Sequence, residues 1–160
     1  MKNIIMNVNI YEDYSEQGIT FARELFAEYE QSLGFPLDFQ NFDKELEHLP
    51  GEYAPPEGCI FLCKVTEDIA GCIALRKLEL GVCELKRMYV RKEYRGKGIG
   101  KQLAEEVIKR AKEIGYKKMR LDTLRSMTTA IRIYKKLGFE EIGAYRYNPF
   151  ENAMYMEKDL

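Results

Sequence analysis

The stretch Arg95-Gly96-Lys97-Gly98-Ile99-Gly100 constrains this chain more than any other. Ahead of it, Glu84-Leu85-Lys86-Arg87-Met88-Tyr89-Val90 is rich in β-formers and follows Gly81, so it predicts a strand. Behind it, Ile99, Leu103, Val107, Ile108 and Ala111 recur at helical spacing with Lys, Glu and Arg between them. A strand, a glycine-rich turn and an amphipathic helix form an anion-binding unit. The first helical turn carries N–H groups without intrahelical partners, and the helix dipole adds partial positive charge there. Glycines let a phosphate approach that backbone with no Cβ in the way.

Three phosphate-binding frames can be laid on these residues. A P-loop requires Gly-Lys-Ser/Thr, and Gly100-Lys101 is followed by Gln102, so that frame fails. The dinucleotide frame G-x-G-x-x-G fits Gly98 and Gly100, with Asp122 placed downstream to meet a ribose hydroxyl. Its last glycine would be Leu103, however, and its first glycine comes well after Val90. The third frame is R-x-x-G-x-G, from Arg95 to Gly100.

With 160 residues the chain can build one sizeable core, and we expect residues 1–160 to form a single domain. A hydrophobic content of 46% and a net charge of −1 describe a globular protein without the basic bias of nucleic-acid binders. No apolar run is long enough to span a bilayer, and residues 1–6 lack the features of a signal peptide, so a cytoplasmic protein is expected. Cys59, Cys63, Cys72 and Cys83 form no C-x-x-C and lie in apolar stretches, while His48 is the sole histidine. Buried free thiols are expected, and no metal site.

Read in order, residues 4–11 predict a strand, and Asp13 or Ser15 can cap a helix carrying Phe21, Leu25, Phe26, Tyr29 and Leu33, ending at Gly34. Asp38 can cap a short helix with Phe39, Phe42, Leu46 and Leu49, followed by a Pro/Gly loop over 50–58. Strands at 59–65, 69–78 and 83–90 predict an antiparallel meander. The helix from Ile99 should end at Gly115, and 117–124 is the next strand. Ser126 can cap a helix with Ala130, Ile133, Tyr134 and Leu137, ended by Gly138, before closing strands at 139–142 and 152–157.

The order β-α-α-β-β-β-α-β-α-β-β, with Arg95 to Gly100 after the fourth strand and Tyr134-x-x-Leu137-Gly138-Phe139 on the next helix and strand, resembles the GCN5-related N-acetyltransferases. The resemblance implies an α/β GNAT fold: a mixed, mostly antiparallel sheet of about seven strands with four helices. It covers residues 59–142 by motif and the N-terminal third by element order. It further implies acetyl-CoA as cosubstrate, its pyrophosphate on Arg95, Gly96, Lys97, Gly98, Ile99 and Gly100, and its pantetheine along Met88, Tyr89 and Val90. Many members carry Asn where this chain has Met127, which leaves Ser126 as a substitute contact.

Acyl transfer to an amine requires an amine freed of its proton, a stabilised oxyanion and a protonated leaving thiolate. Presenting a lysine-like amine as free base at pH 7 costs about 4–5 kcal/mol. Glu84 matches the family glutamate that acts as general base in histone-acetylating members; its plainer role is a salt-bridged strand residue. Tyr134 matches the family tyrosine beside the thioester sulfur, able to protonate the thiolate and to touch the cofactor. The acceptor is a small-molecule amine or a peptide or protein amine, and Glu28, Tyr29, Phe39, Glu47, Glu52, Tyr53, Tyr145, Tyr147 and Asn148 are candidate walls of its cleft. A non-catalytic acyl-CoA-binding sensor or interaction module is the competing function, against which Glu84 and Tyr134 speak. A homodimer is compatible with the sequence, and neither nucleic acid nor membrane is expected as a partner.

Overall fold

The computed structural model describes residues 7–37 and 41–160. In chain order the elements are β1 Val8–Tyr11, α1 Glu16–Leu33, α2 Phe42–Glu47, β2 Cys59–Val65, β3 Asp68–Glu79, β4 Val82–Val90, α3 Ile99–Ile114, β5 Lys118–Leu124, α4 Thr128–Lys136, β6 Glu140–Ile142 and β7 Ala153–Asp159. The strands form one seven-stranded sheet in the order β1-β2-β3-β4-β5-β7-β6, parallel between β4 and β5 and antiparallel at every other junction. This is the expected GNAT architecture.

Both faces of the sheet are covered. Along β2, Cys59, Phe61 and Cys63 join a core with Leu103, Val107 and Ala111 of α3, while Ile60 and Leu62 join a core with Ala22, Leu25 and Phe26 of α1. A strand buried on both sides needs a continuous apolar run, and Cys-Ile-Phe-Leu-Cys is one. Helix ends follow the expected chemistry. Ser15 Oγ accepts from the Gly18 amide at the start of α1, and Gly34 and Gly115 close α1 and α3 in the left-handed conformation.

Several expectations changed. The part of the first strand at residues 4–6, and Asp38 and Phe39 of the second helix, lie outside the described residues. Helix α2 begins after Asn41, which makes no side-chain cap. Ser126 does not cap α4. The N-cap is Met127, which makes no side-chain cap hydrogen bond, because the chain runs one residue further in the turn from β5 before entering the helix.

Candidate active site

The site is made by a failure of pairing. Strands β4 and β5 pair only at Val82↔Lys118, Cys83↔Met119 and Glu84↔Arg120. Beyond that point β4 stays bound to β3 as far as Gly71↔Val90, and β5 stays bound to β7 as far as Leu124↔Ala153. Each strand keeps one partner and parts from the other, so the sheet opens as a wedge. The β5-facing edge of β4 after Glu84 therefore has no neighbouring strand, and its backbone groups need another partner.

A bulge in β4 sharpens the opening. On β3, Cys72 pairs with Tyr89 and Ala74 with Lys86, so Ile73 faces both Arg87 and Met88. Arg87 takes φ +59°. That turns two successive side chains, Lys86 and Arg87, to the α1 face of the sheet. The Arg87 guanidinium reaches Glu45 of α2 at 2.9 and 3.0 Å, and the Lys86 ammonium lies 3.8 Å from Asp122 and 3.9 Å from Glu84. Burial, then the charge of Arg87, presses the Lys86 pKa down to about 8.

Two adjoining spaces occupy the wedge. The first is a groove of about 720 Å³ lined by Met88, Tyr89, Val90, Arg95, Gly96, Gly98, Ile99, Gly100 and Ser126. That brings together every residue expected to touch acetyl-CoA except Lys97 and Tyr134. Gly98 sits at φ +80° as N-cap of α3, with open space where a Cβ would lie, so its amide and those of the first turn stand clear. Arg95 donates to the Val90 carbonyl at 2.7 Å and lies over the Tyr89 ring, so it braces the turn. Lys97 is exposed and lies over Tyr94, outside the groove lining. Lys101, Arg132 and Lys136 also line the groove, and the sequence motif pointed to none of them. A backbone edge, clear helix N-terminal amides and a cationic rim fit a long anionic thioester such as acetyl-CoA.

The second space is a cavity of about 50 Å³ lined from both sides of the sheet. Tyr134 enters from α4; Lys86, Arg87 and Asp122 come from the parted strands; Tyr29 and Asn148 come from α1 and the β6–β7 loop. Phe35 and Phe150 also line it, their rings 3.9 Å apart. Met88, Tyr29, Leu33, Leu124 and Met127 border groove and cavity alike, so the two spaces adjoin. Tyr134 is buried and its hydroxyl is aimed at Met88 Sδ, 3.9 Å away on the β4 edge. Burial, with the Tyr29 and Asp122 charges behind it, raises its pKa above the ordinary phenol range, so the phenol keeps its proton.

Glu84 lies elsewhere. It has no exposed surface and lines neither space. One oxygen accepts from Arg76 at 2.9 Å, and the other accepts from Tyr145 at 2.6 Å and from Arg146. Burial pushes its carboxyl up, but Lys86, Arg76 and Arg146, with the Tyr145 hydroxyl, outweigh that and hold it below the usual range. Of the residues proposed for the acceptor cleft, Tyr29 and Asn148 line the cavity. Glu52, Tyr53, Tyr145 and Tyr147 line a separate hollow of about 620 Å³, Glu28 pairs with Arg91 at 2.9 Å, and Glu47 is exposed. Phe39 lies outside the described residues.

The four cysteines are buried and unpaired, none lines the groove, the cavity or the hollow described above, and burial pushes the Cys63 thiol up to about 11 and those of Cys59 and Cys83 to about 12. Among the described residues no helix is long and apolar enough to cross a membrane.

The model of the acetyltransferase (GNAT) family matches residues 11–139 of the chain. An uncharacterised N-acetyltransferase of Schizosaccharomyces pombe is 36% identical over 156 residues, covering 96% of each chain. Among solved structures, an acetyltransferase of the GNAT family from Staphylococcus aureus Mu50 superposes with a TM-score of 0.78 at 26% identity, covering 96% of this chain and 99% of its own. An acetyltransferase from Bacillus anthracis, solved in complex with acetyl-coenzyme A, reaches a TM-score of 0.60 at 25% identity over 71% of this chain and 69% of its own.

Proposed function

The chain belongs to the acetyltransferase (GNAT) family and is an acetyl-CoA-dependent acyltransferase, and on that premise we propose that it acetylates a small primary amine by direct attack on the thioester. The observation that carries this reading is the parting of β4 and β5 after Glu84↔Arg120, with the groove on one side of the opening and the Tyr134 cavity on the other.

The β4 edge from Met88 to Val90 takes the pantetheine amides as an added strand would, and an amide there faces the thioester oxygen. Gly96, Gly98, Ile99 and Gly100 offer backbone N–H groups to the pyrophosphate. Arg95 holds the turn in shape, Lys101, Arg132 and Lys136 supply charge at the rim, and Ser126 supplies a polar contact. Lys97 adds long-range attraction only. Tyr134 donates its phenolic proton to the departing thiolate. Burial keeps the phenol protonated, so a hydroxyl hydrogen is there to meet the sulfur as charge develops on it. Glu84 anchors Arg76, Tyr145 and Arg146 beside the site.

We read the transfer as direct attack; the described lining of the cavity holds no thiol and no hydroxyl beside a histidine. The Phe35–Phe150 contact in its lining favours a compact acceptor. Buried, unpaired thiols suit a reducing compartment, and we place the enzyme in the cytoplasm.

The test is thiol release from acetyl-CoA with polyamines, amino acids, aminoglycosides, glycinamide and short peptides as acceptors, alongside Tyr134→Phe. Acceptor-dependent release is expected, with kcat of the variant down by about 10²-fold or more and acetyl-CoA affinity unchanged. Equal turnover in the variant removes Tyr134 from the chemistry. Acetyl-CoA binding without release to any acceptor supports a non-catalytic binding module instead.

A further inference from the structure

Resting on that reading of the site, the geometry points to Asp122, and not Glu84, as the group that takes the proton from the acceptor amine. Two carboxylates on adjacent strands flank the opening. Glu84 and Arg120 are the last paired positions before β4 and β5 part, so Asp122, two residues further along β5, stands at the mouth of the opening. Asp122 lines the same cavity as Tyr134, whereas Glu84 does not.

Their partners differ as well. Glu84 is bound by Arg76 and Tyr145 at 2.9 and 2.6 Å and by Arg146, so accepting a proton means breaking short contacts in a buried, positively charged nest. Asp122 has long contacts: Lys86 Nζ at 3.8 Å from one oxygen and Asn148 Nδ2 at 3.5 Å from the other. Hydrogen bonds weaken steeply at such lengths, and an arriving ammonium can replace them without leaving a short bond unmade. The titratable groups facing Asp122 are Lys86 from β4, Tyr134 from α4, Tyr29 from α1, Tyr155 from β7 and Tyr145 from the β6–β7 loop. All these tyrosines are held above the ordinary phenol range and keep their protons, and Asp122 is the carboxylate among the residues that line the cavity.

The protons balance as follows. The acceptor enters as R–NH₃⁺ and gives one proton to the Asp122 carboxylate. The freed amine forms the C–N bond to the thioester carbonyl, and collapse of the tetrahedral adduct breaks the C–S bond. Tyr134 gives its proton to the thiolate and is reprotonated by the one the amide nitrogen sheds. Asp122 then returns its proton to solvent, so amide, thiol and one proton leave the enzyme.

The experiment is kcat/KM against pH for wild type, Asp122→Asn and Glu84→Gln, using glycinamide and putrescine, whose amines differ in basicity. Thermal melting and acetyl-CoA titration on each protein separate a folding or binding defect from a catalytic one. Asp122→Asn is expected to lose about 10²-fold at pH 7, with the loss shrinking as pH rises and smaller for the less basic glycinamide, since an amine already free needs no base. Glu84→Gln should show no such pH-dependent recovery. If Asp122→Asn does not fold, Asp122→Ser with added formate replaces it, and formate should restore rate. An Asp122 variant with full activity at pH 7, or a deficit equal at every pH and for both amines, overturns the assignment while leaving the transferase intact. Absence of release by wild type with every amine overturns both.

Discussion

Lys86 carries a positive charge in a place where burial disfavours it, and that has a measurable consequence for folding. Its pKa in the folded chain is about 8 against an ordinary 10.5. Below pH 8 both folded and unfolded chains hold the proton, and the folded state bears the full cost of burying the charge. Between about pH 8 and 10.5 the unfolded chain keeps the proton while the folded chain has lost it, so stability rises with pH. Relative to Lys86→Met, wild type should gain about 1.4 kcal/mol per pH unit inside that window in chemical denaturation; parallel profiles for the two proteins would contradict it. The pair Lys86–Arg87 was not legible as a functional pair in the sequence. Strand alternation puts successive side chains on opposite faces, and nothing in Lys-Arg-Met announces that Arg87 will take a left-handed conformation and turn both inward. Asp122 was readable only through the dinucleotide frame, because its significance depends on which strand parts from its neighbour and where. Tyr134, by contrast, was visible from its spacing to Gly138 and Phe139.

At the scale of elements, the glycine turn and the wedge divide the work. The turn presents amides, and Gly98→Asp would place a carboxylate and a strained Cβ at the φ +80° N-cap of α3. Acetyl-CoA affinity should fall by at least about tenfold, as like charge meets phosphate where the helix dipole now attracts it; an unchanged dissociation constant in calorimetry would remove this turn from the binding site. The wedge depends on how closely β3 holds β4. A Cβ on Gly71 would come within 2.6 Å of the Tyr89 carbonyl, so Gly71→Ala must move the strand whose far edge serves the groove. Weakened acetyl-CoA binding with the fold retained is the expected outcome, read by the same titration. Most element boundaries could be read because glycines mark them: Gly34, Gly115 and Gly138 all fall at positive φ after a helix. The start of α4 could not, since a Ser is a common cap and only the path of the turn from β5 shows that Met127 holds the position. Nor could the insertion of β7 between β5 and β6, a long-range pairing with no local signature.

Over the whole molecule, a sheet buried on both faces is pierced at one point by the divergence of its central strands. Each apolar core leans on its own helices, Leu25 and Phe26 of α1 on one face and Leu103 and Val107 of α3 on the other. In the proposed mechanism thioester and amine approach this opening from different sides and meet between Tyr134 and Asp122. A ligand that fills the wedge ties β4 and β5 together, so acetyl-CoA at 100 times its Kd should stabilise the fold by about 2.7 kcal/mol. For a chain of this length that is a melting shift of about 5–10 °C, which Gly98→Asp should lose. The measurement that bears most directly on direct transfer in this opening is the initial rate of thiol release with acetyl-CoA and the best amine varied against each other. Double-reciprocal lines that intersect are predicted, since both substrates must occupy the wedge together before the acetyl group moves. Parallel lines would mean that an acetylated enzyme forms and sheds thiol before the amine arrives, and direct attack across the parted strands would be wrong.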